Sequence, residues 1–236
     1  MPLIVFVIYF PACVIIDEGG AGRCVRGTGD IVSQTLDLDA FSEISLDISA
    51  DVYLTQGDEQ EVVVEGRQNI IDELNLDVFS GEWRIESDRC LKHVGNMKIF
   101  ITIPEITALS IQGSGDIHSE NTIVSDRLDL SVSGSGDFDL AVDSESIDCK
   151  VSGSGDIYME GVAADFDYRL SGSGNLNAFD LETQTMNIKI SGSGDADVWV
   201  LEYLKIRIAG SGDIHYKGHP ELDINISGSG HVIDAN

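Results

Sequence analysis

Ser131-Val132-Ser133-Gly134-Ser135-Gly136-Asp137-Phe138 is the stretch from which the fold can be read, because it returns with small changes along the second half of the chain. Such glycine boxes begin at Gly113, Gly134, Gly153, Gly172, Gly192, Gly210 and Gly228, at intervals of 21, 19, 19, 20, 18 and 18 residues. A steady period of this length marks an array of stacked units. Ahead of the boxes apolar residues alternate with polar ones, as in Leu128, Leu130, Val132 and again in Ile147, Cys149, Val151. After the boxes the alternation resumes, as in Phe138, Leu140, Val142 and in Ala196, Val198, Val200. A period of two predicts strands with one buried face. Each unit is therefore strand, glycine corner and strand, closed by a looser third side.

No unit holds a capped helical pattern, which excludes leucine-rich, ankyrin and tetratricopeptide repeats, and propeller blades need about twice this period. The remaining architecture is all-β: a right-handed parallel β-helix, or β-solenoid, with coils of 18–21 residues. Its handedness follows from the rule for crossovers between parallel strands. The first half reads as the same design with less regular coils. Ile44, Leu46 and Ile48 lead through Ser49-Ala50-Asp51 to Val52 and Leu54, a strand, short corner and strand. Residues 27–236 are thus expected to form one β-solenoid domain, irregular over 27–112 and regular over 113–236.

Residues 1–22 read as a secretion signal. The first sixteen residues carry no charge, a run too short to span a bilayer comfortably but suited to the apolar core of a signal. Cys13 follows Phe10-Pro11-Ala12 and is the candidate for lipid attachment; cleavage elsewhere and a buried strand are the alternatives. The remaining cysteines, Cys24, Cys90 and Cys149, lack any C-x-x-C spacing for zinc or dithiol chemistry. Cys24 and Cys90 are candidates for a disulfide, while Cys149 occupies an apolar position of the repeat and reads as a small core residue.

Acidic residues outnumber basic ones by 41 to 14, for a net charge of −27. That field repels nucleic-acid backbones and anionic headgroups, so neither is an expected partner, and any membrane association would come through a lipid on Cys13. In the boxes, glycine is expected to supply positive φ and aspartate to bond a backbone N–H in an Asx-type turn. The aspartates recur once per coil and raise the question of a cation. The calcium candidates are Asp137, Asp139, Asp195 and Asp197, although the period is twice that of calcium-binding nonapeptide repeats. A phosphate cradle lacks its lysine and following helix.

Ser114, Asp116 and His118, like Ser211, Asp213 and His215, contain the residue types of a hydrolytic triad, but three neighbours along one strand do not converge easily. His215 and His219 flank a turn rather than share a helix face, a weak metal motif. Paired aspartates could serve a polysaccharide-processing β-helix enzyme, yet coils this short spare no chain for groove walls. The expectation is therefore no catalytic residues, no cofactor and no enzyme.

A secretion-like start, Gly27-Thr28-Gly29-Asp30-Ile31, Asp39-Ala40-Phe41-Ser42-Glu43-Ile44, Val52-Tyr53-Leu54-Thr55-Gln56-Gly57 and the serial SGSGD boxes together resemble the bacterial family of putative auto-transporter adhesins with a head GIN domain. The resemblance covers nearly all of the chain after residue 22. It implies an exported β-helix of the periplasm, outer membrane or cell surface, and it brings no catalytic residues. The departures are a missing basic stretch before the apolar run, the irregular Cys13 context, Asn175 in the fourth box and His231 in the seventh. The expected function is that of a non-catalytic cell-envelope solenoid, an adhesin or interaction and spacer protein with a protein or glycan ligand. The alternative is the polysaccharide-processing enzyme. With the chain ending six residues after the last box, an open parallel edge is expected there, one suited to self-association.

Overall fold

The computed structural model describes residues 24–236, so the expected signal, with Cys13, lies outside the described residues. One coil shows how the pattern becomes structure. In the strand Phe138–Val151, alternate side chains from Phe138 to Ser144 are buried; a three-residue step then leads to Ile147, Cys149 and Val151, which are buried in turn. That step turns the chain while keeping apolar residues inside on both arms. In this coil the third side is thus not loose but a bend within one continuous strand.

The arms pair with their equivalents in the next coil, always in parallel. Ile147 is opposite Phe166, Phe166 opposite Met186 and Met186 opposite Leu204, a row of buried side chains running along the stack. Each such burial contributes about 1.5–3 kcal/mol, and the period-two rows repeat it in every coil. Changes of coil length are absorbed away from the boxes. The register shifts between Tyr158 and Glu160, and again between Ala178 and Thr185. The result is a β-solenoid of stacked parallel coils, as the box spacing predicts.

The first half departs from a serial stack. The coil made by Glu43–Leu46 and Asp51–Gln56 lies between two others: Glu82–Ile85 and Lys98–Ile103 on one side, Ala108–Ile111 and Ile117–Ser119 on the other. Chain order and stacking order therefore differ. Beyond Lys98–Ile103 the pairing becomes antiparallel, first to Glu61–Arg67 and from there to Ile31–Leu36. This added layer covers the edge that parallel stacking would leave open. A short helix, Gln68–Ile71, buries Ile70 and Ile71, and Cys24 and Cys90 form a disulfide beside the parallel pair Val25–Arg26 and Leu91–Lys92.

At the other end no such layer is seen among the described residues. Glu221–Ile226 pairs with Ala196–Ile208, and its Leu222, Ile224 and Ile226 stand in the register of the buried Leu204, Ile206 and Ile208 yet remain 38–42% exposed.

Candidate functional site

In the boxes the structure gives the glycines a different task from the one expected. None of the box glycines adopts a positive φ. Instead the coils approach so closely that a Cβ on Gly134 would lie 1.9 Å from the carbonyl oxygen of Gly113, and one on Gly136 would lie 1.8 Å from that of Gly115. The backbone bonds across this contact, with Ser135 N–H donating to Gly113 O at 3.1 Å and Ser154 N–H to Gly134 O at 3.0 Å. The corner is itself a hydrogen-bonded ladder, and side chains other than hydrogen are excluded from its contact face.

The aspartates bond between coils rather than within a turn. Oδ1 of Asp116 accepts the backbone N–H of Asp137, and Oδ1 of Asp137 that of Asp156. The relay continues from Asp156 to Asn175, Asn175 to Asp195, Asp195 to Asp213 and Asp213 to His231, every bond between 2.7 and 2.9 Å. Asn175 also donates its side-chain N–H to Asp156 at 3.0 Å, so an uncharged member within the row removes a like-charge contact and supplies a donor. At its end the backbone N–H and ring of His231 hold the Asp213 carboxyl below the usual carboxylate range.

Of the calcium candidates, Asp137 and Asp195 are these relay residues. Asp139 faces His118 at 3.7 Å and Asp197 bonds His215 at 2.9 Å. Asp139 and Asp197 share the rim of an open groove of about 340 Å³ with Tyr158, Glu160, Asn177 and Asp180. Among the described residues no group of three or more acidic, histidine or cysteine side chains is arranged to hold a metal ion. The triad motifs do not assemble: His118 stacks on Tyr53 and turns to Asp139, and His215 turns to Asp197. In each case the histidine meets the carboxylate of the neighbouring coil, because ladder neighbours are nearer than neighbours along the strand.

Inside the coil, Cys149 is buried, and burial pushes its thiol up to about 12. The thiolate needed for nucleophilic or redox work is thereby suppressed.

A feature that the charge count conceals lies on the outward face of the arms preceding the boxes. Lys150, Arg169, Lys189 and Arg207 stand opposite one another in four consecutive coils. Arg169 is held by Asp148 at 2.6 Å and Asp167 at 3.1 Å, and Arg207 by Asp223 at 2.7 Å. Among the described residues neither Lys150 nor Lys189 forms an ion pair. The signal was present in the sequence, since each of the four is the third residue before its box's first glycine. A total of 14 basic residues simply gives no hint of their alignment.

Comparison with known proteins agrees with this architecture. The model of a family described as "Putative auto-transporter adhesin, head GIN domain" matches residues 40–220. A crystal structure of a putative adhesin from Bacteroides fragilis NCTC 9343 superposes with a TM-score of 0.84 at 25% identity, covering 88% of this chain and 98% of that one. A putative adhesin from Parabacteroides distasonis ATCC 8503 gives 0.75 at 25% identity, covering 89% and 99%. A further protein of that organism, titled a putative lipid binding protein, shares the fold with a TM-score of 0.71 at 22% identity, covering 90% and 100%. No match is found among curated proteins.

Proposed function

The chain belongs to the head GIN domain family of putative auto-transporter adhesins, and from that membership we propose that it is a non-catalytic binding protein of the bacterial cell envelope whose outward side-chain ladders are its contact surfaces. The relatives indicate an exported or cell-surface bacterial protein. The disulfide between Cys24 and Cys90 fits an oxidising compartment.

The observation that carries the proposal is the aspartate relay. Residues that could act as acid or base on a glycosidic bond spend their carboxylates on backbone N–H groups of the adjoining coil. What the fold leaves free is surface: long rows of stacked strands whose outward side chains change from coil to coil. A stacked solenoid suits the recognition of extended partners for that reason.

The test is a glycan array probed with the exported chain, with reducing-end release measured on every glycan retained. Retention without turnover supports the proposal. Release of sugar that disappears in Asp137→Asn or Asp195→Asn would replace it with the polysaccharide-processing alternative.

A further inference from the structure

We propose that the ladder Lys150, Arg169, Lys189 and Arg207 is a binding site for an acidic polysaccharide, laid along the solenoid axis with its carboxylate or sulfate groups over the cations. This rests on the reading of the chain as a non-catalytic binding protein and narrows it to one face and one class of ligand.

Like charges directly opposite on neighbouring strands destabilise a sheet. Four in succession, about 4.8 Å apart, are an arrangement that needs counter-charge. Part of it is internal: Asp148 and Asp167 lie two residues before Lys150 and Arg169. In the next two coils the preceding position is not acidic, with Asn187 before Lys189 and Lys205 before Arg207, and Arg207 takes its aspartate, Asp223, from the following coil. The row beside the cations thus carries Asp148, Asp167 and Asp223 but is interrupted at Asn187 and Lys205, next to Lys189. The arginines are oriented by their aspartates, while Lys150 and Lys189 are exposed.

On the other side of the cations runs a shallow groove of about 400 Å³, with Ser152, Ser171 and Ser191 along it. Ser152 and Ser191 donate to the carbonyls of Val132 and Leu170, which leaves their oxygens able to accept from sugar hydroxyls. Cations at a regular spacing beside a row of hydroxyl acceptors match a linear saccharide whose acidic groups also recur regularly.

The surroundings favour a narrow ligand over a broad one. An anionic bilayer would lie across the carboxylates that dominate a surface of net charge −27. A single saccharide chain stays within the cationic row, and carboxylates more than about 10 Å away are screened at ordinary salt. Single-stranded nucleic acid is equally narrow, but it is gripped by stacking its bases on aromatic rings, and the groove has none.

The experiment compares dextran sulfate, polygalacturonate and neutral dextran as ligands for the exported chain at low and high salt, with phosphatidylglycerol vesicles and a single-stranded oligonucleotide alongside. The expected result is salt-sensitive binding of both acidic polysaccharides and none of neutral dextran. The double variant Lys150→Gln, Lys189→Gln weakens that binding about tenfold, the scale of two exposed charge contacts, at unchanged melting temperature. A control, Lys98→Gln with Lys217→Gln, removes two lysines away from the ladder and leaves binding as it was. Equal losses in the two double variants overturn the site, as does preference for the vesicles or the oligonucleotide. A wild-type chain that ignores the acidic polysaccharides but binds other glycans overturns the site alone. One that binds no glycan on any array overturns the site together with the glycan-binding side of the adhesin reading.

Discussion

Oδ1 of Asp137 accepts the backbone N–H of Asp156 at 2.7 Å, nineteen residues further on and one coil away. This bond places the carboxylate among the elements that set the coil spacing. Asp137→Ala leaves that N–H without its partner at a half-buried corner, and the expected loss is about 1–3 kcal/mol of unfolding free energy. Asp137→Asn keeps the acceptor and gains a donor toward Asp116, as Asn175 already does toward Asp156. Urea unfolding should therefore find the Asn variant close to wild type and the Ala variant well below it. Equal losses in both would mean that charge, not the accepted bond, is what the position supplies.

Gly134 and Gly29 separate two reasons for glycine. A Cβ at position 134 meets the Gly113 carbonyl oxygen at 1.9 Å, a backbone atom that cannot step aside without opening the coil contact. Gly134→Ala is expected to cost about 2 kcal/mol or more, the range of forced overpacking. Gly29 has φ +84° and open space around it, so Gly29→Ala carries only backbone strain of about 1 kcal/mol. Thermal unfolding of the two variants ranks them, and a milder effect at Gly134 than at Gly29 would refute the close-stacking account.

These glycines also mark how far local pattern reaches. The arms of the regular coils were legible because burial alternates with period two and the boxes return every 18–21 residues, both properties of neighbouring positions in the chain. The reason for the boxes was not legible, since positive φ and close backbone approach leave the same residue in the sequence. Nor was the stacking order of the first half. Ser45 and Ser110 bond to one another at 2.9 Å across a separation of 65 residues, because the coil holding Trp83 and Ile99 is laid on the far side of Ser45. Nothing in the alternation around Ser45 says which strand will be its neighbour. The cation ladder had a sequence signal in Lys150, Arg169, Lys189 and Arg207, but it emerges only when the boxes are aligned on their first glycine.

Tyr168 offers a stabilising change. Its ring is fully buried opposite Cys149, and its hydroxyl has no hydrogen-bond partner among the described residues. Burial raises the phenol's pKa strongly, so the group stays neutral, yet its polar oxygen has been desolvated without compensation. Tyr168→Phe removes that penalty while keeping the ring, and stability should rise by about 1 kcal/mol. A lower melting temperature for the Phe variant would show that the hydroxyl has a partner after all, with an ordered water the natural one to seek.

Cys149 beside it serves as a reporter of opening. With the thiol buried and pushed up to about 12 by desolvation, a disulfide reagent at neutral pH should fail to label it in the native chain. Labelling should appear only with the unfolding transition. Rapid labelling under native conditions would mean that the coils carrying Ile147 and Phe166 separate locally, far below the cost of global unfolding.

Acid should loosen the last coils. The carboxyl of Asp213 is held low by the backbone N–H and ring of His231, that of Asp223 by the guanidinium of Arg207, and that of Asp234 by the backbone N–H of Asn236. In each case the folded pKa lies below the unfolded value of 3.8, so at the low end of the range the unfolded chain binds more protons than the folded one. Stability contributed by these groups is then complete above that value and is lost as pH falls through the folded pKa. Hydrogen-exchange protection, corrected for intrinsic rates, should decline over residues 208–234 as pH falls below the unfolded value of 3.8 toward the lower folded values. Asp213→Asn keeps the acceptor for the His231 N–H without the titration, and it should flatten the decline around that coil. A decline around that coil that is the same in Asp213→Asn would show that the Asp213 carboxyl is not its source.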